Sequence, residues 1–129
     1  MNPTSQLIGH WPLAGDANDI AGTHHGVTEC LAFAAGPDGT PGAAAEFDGS
    51  RSFVRIEDHK DLRLGTGDFT IAAWIRSQAP MTHVFGDVLS KFDPVGRTGL
   101  NLHVAGSSPA YSSMSDQRHV HFGIDDGYI

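Results

Sequence analysis

Short apolar runs separated by turn residues constrain the fold of this chain more than any other feature of its sequence. Sixteen glycines and seven prolines are spread along the 129 residues, and no window keeps a helical period of apolar residues over three turns. Runs that alternate in the manner of β-strands recur instead, bounded by Gly, Asp or Pro. The pattern predicts an all-β domain, either an antiparallel sandwich or a barrel.

The predicted strands are short and follow one another closely. No internal repeat and no linker divides them, so residues 1–129 are predicted to form a single domain. The strands are placed at 7–13, 27–30, 43–47, 52–56, 69–77, 87–92, 100–104 and 119–124, with a helical turn or irregular connection at 59–67.

The charge balance excludes two classes of partner. The formal net charge is −7 and the chain holds only eight Lys and Arg residues. Nothing here could neutralise a run of phosphates, so neither nucleic acid nor an anionic membrane surface is an expected partner. An acidic surface of this kind serves solubility, and it also suits hard cations such as calcium.

Cysteine usage and the chain start bear on the compartment. Cys30 is the single cysteine, which rules out an intrachain disulfide, and we expect it to be a buried structural thiol. The start "MNPTSQLIGHWPL" has no basic region followed by an apolar run, so no signal peptide is predicted. A secreted or extracytoplasmic location is expected if the chain belongs to a larger protein.

Acidic, glycine-rich loops are the first candidate metal site. Asp16 and Asp19 lie in "GDANDIAG", and Asp48 lies in "FDGS". Calcium takes six to eight oxygen ligands, many of them carbonyls from tight turns, so such loops suit it. The alternative is that these carboxylates only initiate turns by accepting bonds from their own backbone.

Histidines are the second candidate site. His119 and His121 are two residues apart on a predicted strand and share a face, and His103 lies on another strand. Three converging imidazoles would suit zinc, although polar sheet faces also carry histidine without a metal. His24 and His25 form a further pair in a loop.

No catalytic apparatus is found. The chain lacks a carboxylate pair at glycosidase spacing, a G-x-S-x-G elbow and a phosphate-binding glycine loop. The adjacent acids of "GIDDG" face opposite sides of a strand and cannot act together. The sequence therefore predicts that the protein is not an enzyme.

Four motifs occur in a fixed order over residues 7 to 104. They are "LIGHWPLAGDANDIAGTHHGV" (7–27), "PGAAAEFDGSRSFVRI" (41–56), "LRLGTGDFTIAAWIRS" (62–77) and "GDVLSKFD" (86–93). Together they resemble the laminin-G-like modules of the concanavalin A-like lectin and glucanase superfamily. The resemblance implies a jelly-roll sandwich of two curved antiparallel sheets and a structural calcium at Asp19 and Asp48, with Asp16 as a further ligand.

The same resemblance implies a function. Such modules are mostly non-catalytic binding modules of larger proteins, so a carbohydrate-binding, lectin-like role is expected here. The alternative is a structural or protein-interaction module that serves adhesion or packs against a parent enzyme. A lyase or glucanase on the same fold is the third possibility, which the missing acid pair disfavours.

Residues 105–129 do not match the strand pair that normally follows in this family. Either a shorter sandwich closes within the chain, or the chain is the front part of a longer module. An incomplete jelly roll leaves unpaired strand edges, so self-association is predicted.

Trp74 poses a separate question, because it lies on the face of "GDFTIAAWIRS" that should be polar. An exposed ring there would be a platform for a sugar, and a covered ring would be part of a second buried layer. The resemblance favours packing, since this Trp belongs to the motif whatever the ligand. We therefore predict a buried, structural Trp74.

Overall fold

A computed structural model of the chain describes residues 6–77, 84–106 and 118–127. Within these ranges the protein is all-β, with small antiparallel sheets and a single short 3-10 helix. The all-β prediction is therefore confirmed. The chain divides into two compact units, Met1–Ile75 and Arg76–Ile129.

The first unit contains two small sheets of two strands each. β1 (Gly26–Glu29) pairs antiparallel with β4 (Phe53–Ile56), and β2 (Ala32–Ala34) pairs antiparallel with β3 (Ala44–Glu46). The 3-10 helix η1 (Lys60–Leu62) follows β4. Strands of three and four residues form few ladder bonds, so this unit depends on bonds made in its loops.

Turn chemistry closes the hairpin between β2 and β3. The carboxylate of Asp38 accepts a hydrogen bond from the Thr40 N–H at 2.9 Å, and the Gly39 N–H donates to the Gly36 carbonyl at 2.9 Å. Gly39 has φ of +85°, a left-handed conformation that glycine adopts without steric cost. The sequence "GPDGT" thus specifies this turn.

β1 begins where the first loop meets the sheet. The Gly26 N–H donates to the carbonyl of Ala17 at 2.8 Å, and Ala17 is buried. A Cβ at position 26 would lie 3.0 Å from the Cβ of Ala17 in the loop and 2.5 Å from the Cγ1 of Val54 on the neighbouring strand. Only glycine therefore lets the loop approach the sheet this closely.

The second unit is a meander of three longer strands. β5 (Val84–Asp93), β6 (Thr98–Gly106) and β7 (Arg118–Asp126) pair antiparallel in the order β5-β6-β7. The register of the β5–β6 pair shifts on both sides of Asp87. The guanidinium of Arg97 donates to Asp125 at 3.0 and 3.1 Å, which ties the β5–β6 turn to the end of β7.

Apolar residues occupy one face of β6 and β7 in the second unit. The cross-strand pairs are Leu100 with Ile124, Leu102 with Phe122 and Val104 with Val120. Leu100 is buried, whereas Val120, Phe122 and Ile124 are 65%, 45% and 64% exposed. Among the described residues, the only buried apolar side chains are Ala17 in the first unit and Leu100 in the second.

Two predicted strands are absent from the structure. Residues 7–13 and 69–77 have no ladder pairing in the described chain. The first segment is fastened to the next loop by the Ile20 N–H, which donates to the His10 carbonyl at 2.9 Å. An apolar pattern in these two segments thus does not produce ladder pairing in the described chain.

Candidate metal centre

Asp19 fastens the loop that precedes β1. Its Oδ1 accepts hydrogen bonds from the N–H groups of His10 and Ala21, both at 2.9 Å, and its Oδ2 accepts from the His24 N–H at 3.1 Å. The side chain is 3% exposed. These bonds, led by the one from His10, hold the pKa of Asp19 below its ordinary value of 3.8 despite the opposing effect of burial. The carboxylate therefore remains charged while it orders the loop.

Asp48 has the same role in the loop before β4. Its Oδ1 accepts from the N–H groups of Ser50, Arg51 and Ser52 at 2.8, 2.8 and 3.0 Å. These three bonds hold the pKa of Asp48 far below its usual range. Asp16 is exposed, and it accepts from the backbone and side-chain amides of Asn18, both at 2.9 Å.

The three carboxylates assigned to calcium from the sequence thus each accept backbone N–H bonds from residues at most nine positions away along the chain. Donors point at Asp19 and Asp48 where a cation would compete for the same oxygens. None of the three belongs to a group of three or more metal-ligating side chains in the described parts of the chain. The turn-initiating role is observed, and the calcium site stays a prediction.

A different cluster brings together three side chains with metal-ligating atoms. His24, His59 and Asp61 each place one such atom within 4.8 Å of the others. The Oδ2 of Asp61 lies 3.4 Å from the Nε2 of His24 and 3.2 Å from the Nδ1 of His59. The two imidazole rings have centroids 4.7 Å apart and are tilted by 45°.

Two hydrogen bonds on its main chain fix the position of His24. The His24 N–H donates to Asp19, as described above, and its carbonyl accepts from the indole Nε1 of Trp11 at 2.7 Å. The side chain of His24 is 12% exposed. The first loop therefore presents this imidazole from a constrained backbone.

His59 and Asp61 are placed by η1. His59 caps the helix: its Nδ1 accepts from the Asp61 N–H at 3.2 Å, and its carbonyl accepts from the Leu62 N–H at 2.9 Å. The side chains of His59 and Asp61 are 45% and 52% exposed. The cluster is thus closed on the His24 side and open to solvent on the η1 side.

Of the two neighbours of the His59 Nδ1, one is a hydrogen-bond donor and the other is an acceptor. To accept the Asp61 N–H it must be unprotonated, yet it then lies 3.2 Å from a carboxylate oxygen that is also an acceptor. A proton or a cation is needed to make that second contact favourable. The arrangement can therefore serve either a histidine–aspartate ion pair or a metal ion.

The histidines predicted to bind zinc lie on the second unit's sheet. The β6–β7 register places His103 opposite His121 and Ala105 opposite His119. The Nδ1 of His103 lies 3.9 Å from the Oδ1 of Asp87, its register partner on β5. The side chains of His119 and His121 lie outside the described parts of the chain, so their convergence stays a prediction.

Two expectations about burial are wrong. Trp74 is 91% exposed, in a segment without ladder pairing, so its ring is not part of a buried layer. Cys30 is also exposed, at the end of β1 and with φ of +48°. Both residues follow apolar patterns, but neither is covered by a second layer of the described chain.

Sequence reasoning missed His59 and Asp61, which lie in a segment predicted as a helical turn or irregular connection and observed as η1 with its cap. The sequence marks His24 only as part of a loop pair with His25, and the Nδ1 of His25 accepts from the Asp19 N–H at 3.1 Å. The His-x-Asp spacing in "HKDL" was the available local signal. Nothing in it shows that the partner lies 35 residues earlier.

No protein-family model, curated protein or solved structure matches the chain. Among the described residues there is no helix long and apolar enough to cross a membrane.

Proposed function

We propose that this protein is a non-catalytic binding module on a concanavalin A-like jelly-roll sandwich, and that its ligand is a carbohydrate bound at Trp74. The observation that carries the proposal is the 91% exposure of the Trp74 side chain. Ile75 beside it is 52% exposed. An exposed indole offers a flat apolar face with a polar N–H at its edge, which suits the mixed surface of a sugar ring.

The sandwich architecture is supported by the sheet of the second unit. One face of β6 and β7 is apolar, and its β7 residues Val120, Phe122 and Ile124 are exposed, as at the edge of a layer that packs against another. The ordered motifs of residues 7–93 support the same architecture. Asp19 and Asp48 accept backbone N–H bonds in turns, which is a structural use of a carboxylate.

A glycan array followed by calorimetry tests the carbohydrate proposal. We expect Trp74→Ala to weaken binding of the best glycan by at least about tenfold, because aromatic anchors dominate such sites. Trp74→Phe should retain part of the affinity, since it keeps an aromatic face. Val95→Ala, which alters another side chain that is 93% exposed, is the matched control and should bind as the wild type does. A blank array, or equal affinity in Trp74→Ala, overturns the proposal.

A second function, self-association, is favoured by the sequence of β7. Among the described strands β7 pairs with β6 alone, so its other edge is available to a strand of another chain. The strand reads "RHVHFGIDD", with basic residues at its start and acidic residues at its end. Between these charged ends, one face of the strand carries the exposed apolar residues Val120, Phe122 and Ile124.

This charge order is complementary to itself in an antiparallel pair. With Phe122 opposite Phe122 of a second copy, Arg118 comes opposite Asp126 of that copy, and Val120 comes opposite its Ile124. Such a pair has twofold symmetry and extends the three-stranded sheet to six strands. In this register a basic residue is opposite an acidic one at 118/126 and 119/125, and apolar residues are opposite each other at 120/124 and 122/122. Cross-strand pairs of these kinds add to stability.

Sedimentation analysis of charge-exchange variants tests the β7 pair. We expect the wild type to dimerise, and Arg118→Asp to weaken the dimer because it sets like charges opposite each other. The double variant Arg118→Asp with Asp126→Arg should restore it, since the exchanged charges again complement one another. A wild type that stays monomeric at all concentrations, or a double variant no better than the single one, contradicts this pairing.

A further inference from the structure

The donor atoms of His24, His59 and Asp61 point to a transition metal. Two imidazole nitrogens and one carboxylate oxygen are the set that zinc and its neighbours accept. Calcium and magnesium prefer oxygen ligands alone. We infer that these three residues bind a divalent metal ion of the zinc class, at a site that does not include Trp74 and does not depend on carbohydrate binding.

The spacing of the donor atoms supports this inference. Zinc bonds of about 2.0–2.2 Å in tetrahedral geometry separate neighbouring ligand atoms by roughly 3.3 Å. The Asp61 oxygen lies 3.4 Å from the His24 nitrogen and 3.2 Å from the His59 nitrogen. All three atoms lie within 4.8 Å of one another, and the side chain of His59 is half-exposed.

A metal ion also resolves the conflict at the Nδ1 of His59. A cation between this nitrogen and the Asp61 carboxylate converts a contact of two acceptors into two coordination bonds. The Asp61 N–H then gives up its 3.2 Å bond to the ring and can bond to water, because it lies at the exposed side of the cluster. The energetic cost of binding is therefore small on this side.

The loop around Asp19 prepares the remaining ligand. Asp19 and Trp11 hold both main-chain groups of His24, so the imidazole is presented before any metal arrives. Pre-organised ligands of this kind raise metal affinity. With three protein ligands, the fourth coordination position faces solvent on the η1 side and is open to water or to an external donor.

Metal titration of the untagged chain, first stripped with a chelator, tests the inference. We expect one equivalent of ZnCl₂ to bind by calorimetry and to raise the Tm, since a ligand of the native state stabilises it. CoCl₂ should give the visible absorption of a tetrahedral site. MgCl₂ and CaCl₂ should neither change the Tm nor give a heat of binding by calorimetry.

Matched variants locate the site. His59→Ala and Asp61→Asn should each weaken zinc binding by at least about tenfold. His10→Ala and Glu57→Gln alter an exposed imidazole and an exposed carboxylate outside the cluster, and both should bind zinc as the wild type does. Circular dichroism of the metal-free variants establishes that each is folded.

Three results would overturn the inference. One is a wild type that binds no zinc, which leaves the cluster as an ion pair between histidine and aspartate. Another is unchanged affinity in both cluster variants. A third is loss of binding in His103→Ala, which would move the metal to the sheet of the second unit. Trp74→Ala should keep its zinc affinity, so failure of the carbohydrate proposal leaves this one standing.

Discussion

The two compact units of this protein hold their backbones by different means. In the first unit the strands are three or four residues long, and Asp19, Asp38 and Asp48 fasten the loops before and between them. In the second unit three strands of nine or ten residues pair along their lengths. One unit is organised by charged acceptors in loops, the other by a ladder with apolar residues on one face.

This difference determines what each unit tolerates. Loop carboxylates can be removed one at a time or neutralised by acid, whereas a ladder responds mainly to changes in its apolar rows. The proposed metal cluster belongs to the first kind, because its ligands come from a loop and a 3-10 helix. The following changes separate the two modes of organisation.

Leu100→Ala should have the largest effect on stability. Leu100 is 8% exposed and is the buried apolar side chain described in the second unit. Truncation removes its contacts and leaves a cavity, so we expect a loss of about 2–4 kcal/mol in the free energy of unfolding. Urea denaturation measures it, with Val95→Ala as the exposed control. Hydrogen exchange should quicken in β5–β7 and stay unchanged around Asp19; equal quickening in both units would break the comparison.

Asp19→Ala should destabilise the first unit instead of the second. It leaves three N–H groups of the first loop without their acceptor, so we expect the Tm to fall by roughly 5–10 °C. Asp16→Ala is the control, because the Asp16 carboxylate bonds only within its own turn. Exchange should quicken at the amides of His10, Ala21 and His24 and stay unchanged in β6. If Asp16→Ala lowers the Tm as much, Asp19 is not the centre of this loop.

The same contrast explains how much of the fold the sequence predicts. The strands expected at 87–92, 100–104 and 119–124 lie within β5, β6 and β7, because alternation over a long ladder is a local pattern. The strands expected at 7–13 and 69–77 are also rich in apolar residues but have no ladder pairing in the described chain. Pairing depends on a partner elsewhere, and alternation alone does not supply one.

The candidate site was less predictable than the strands. Asp16, Asp19 and Asp48 were chosen for their residue type, and the structure uses them as turn acceptors, the alternative that composition had left open. His59 and Asp61 have no periodicity, and only the folded chain brings them to His24. Exposure was also unpredictable from the motif, because whether Trp74 is covered depends on a second layer and not on its own strand.

Acid should loosen the first unit before the second. The pKa of Asp19, Asp38 and Asp48 lies below the ordinary 3.8 because of backbone N–H bonds. A depressed folded-state pKa stabilises the protein fully above the unfolded value, and this stability is lost as pH falls toward the folded value. We therefore expect the first unit to lose order below about pH 4.

In the described part of the second unit, Asp125 is the carboxylate with a lowered pKa. The Gly127 N–H lowers it most, followed by the side chain of Arg97. Amide resonances of His10 and Ala21 should therefore lose dispersion at a higher pH than those of Leu100 and Leu102. Asp38 and Asp48 are exposed, so solvent screening reduces their share and Asp19 should dominate. In Asp19→Ala, the pH values at which the two sets of amide resonances lose dispersion should differ much less. If the amide resonances of both units lose dispersion at the same pH, the two units do not respond to acid separately.

Trp74→Ala should have the smallest effect on stability and the largest on ligand binding. An indole that is 91% exposed loses almost no contacts when truncated, so we expect the free energy of unfolding to change by less than about 0.5 kcal/mol. Urea denaturation of Trp74→Ala beside Leu100→Ala gives the measurement, because one side chain is uncovered and the other is buried. A loss of about 3 kcal/mol or more would mean that the ring is covered in solution. Packing would then explain Trp74, and the carbohydrate proposal would lose the observation on which it rests.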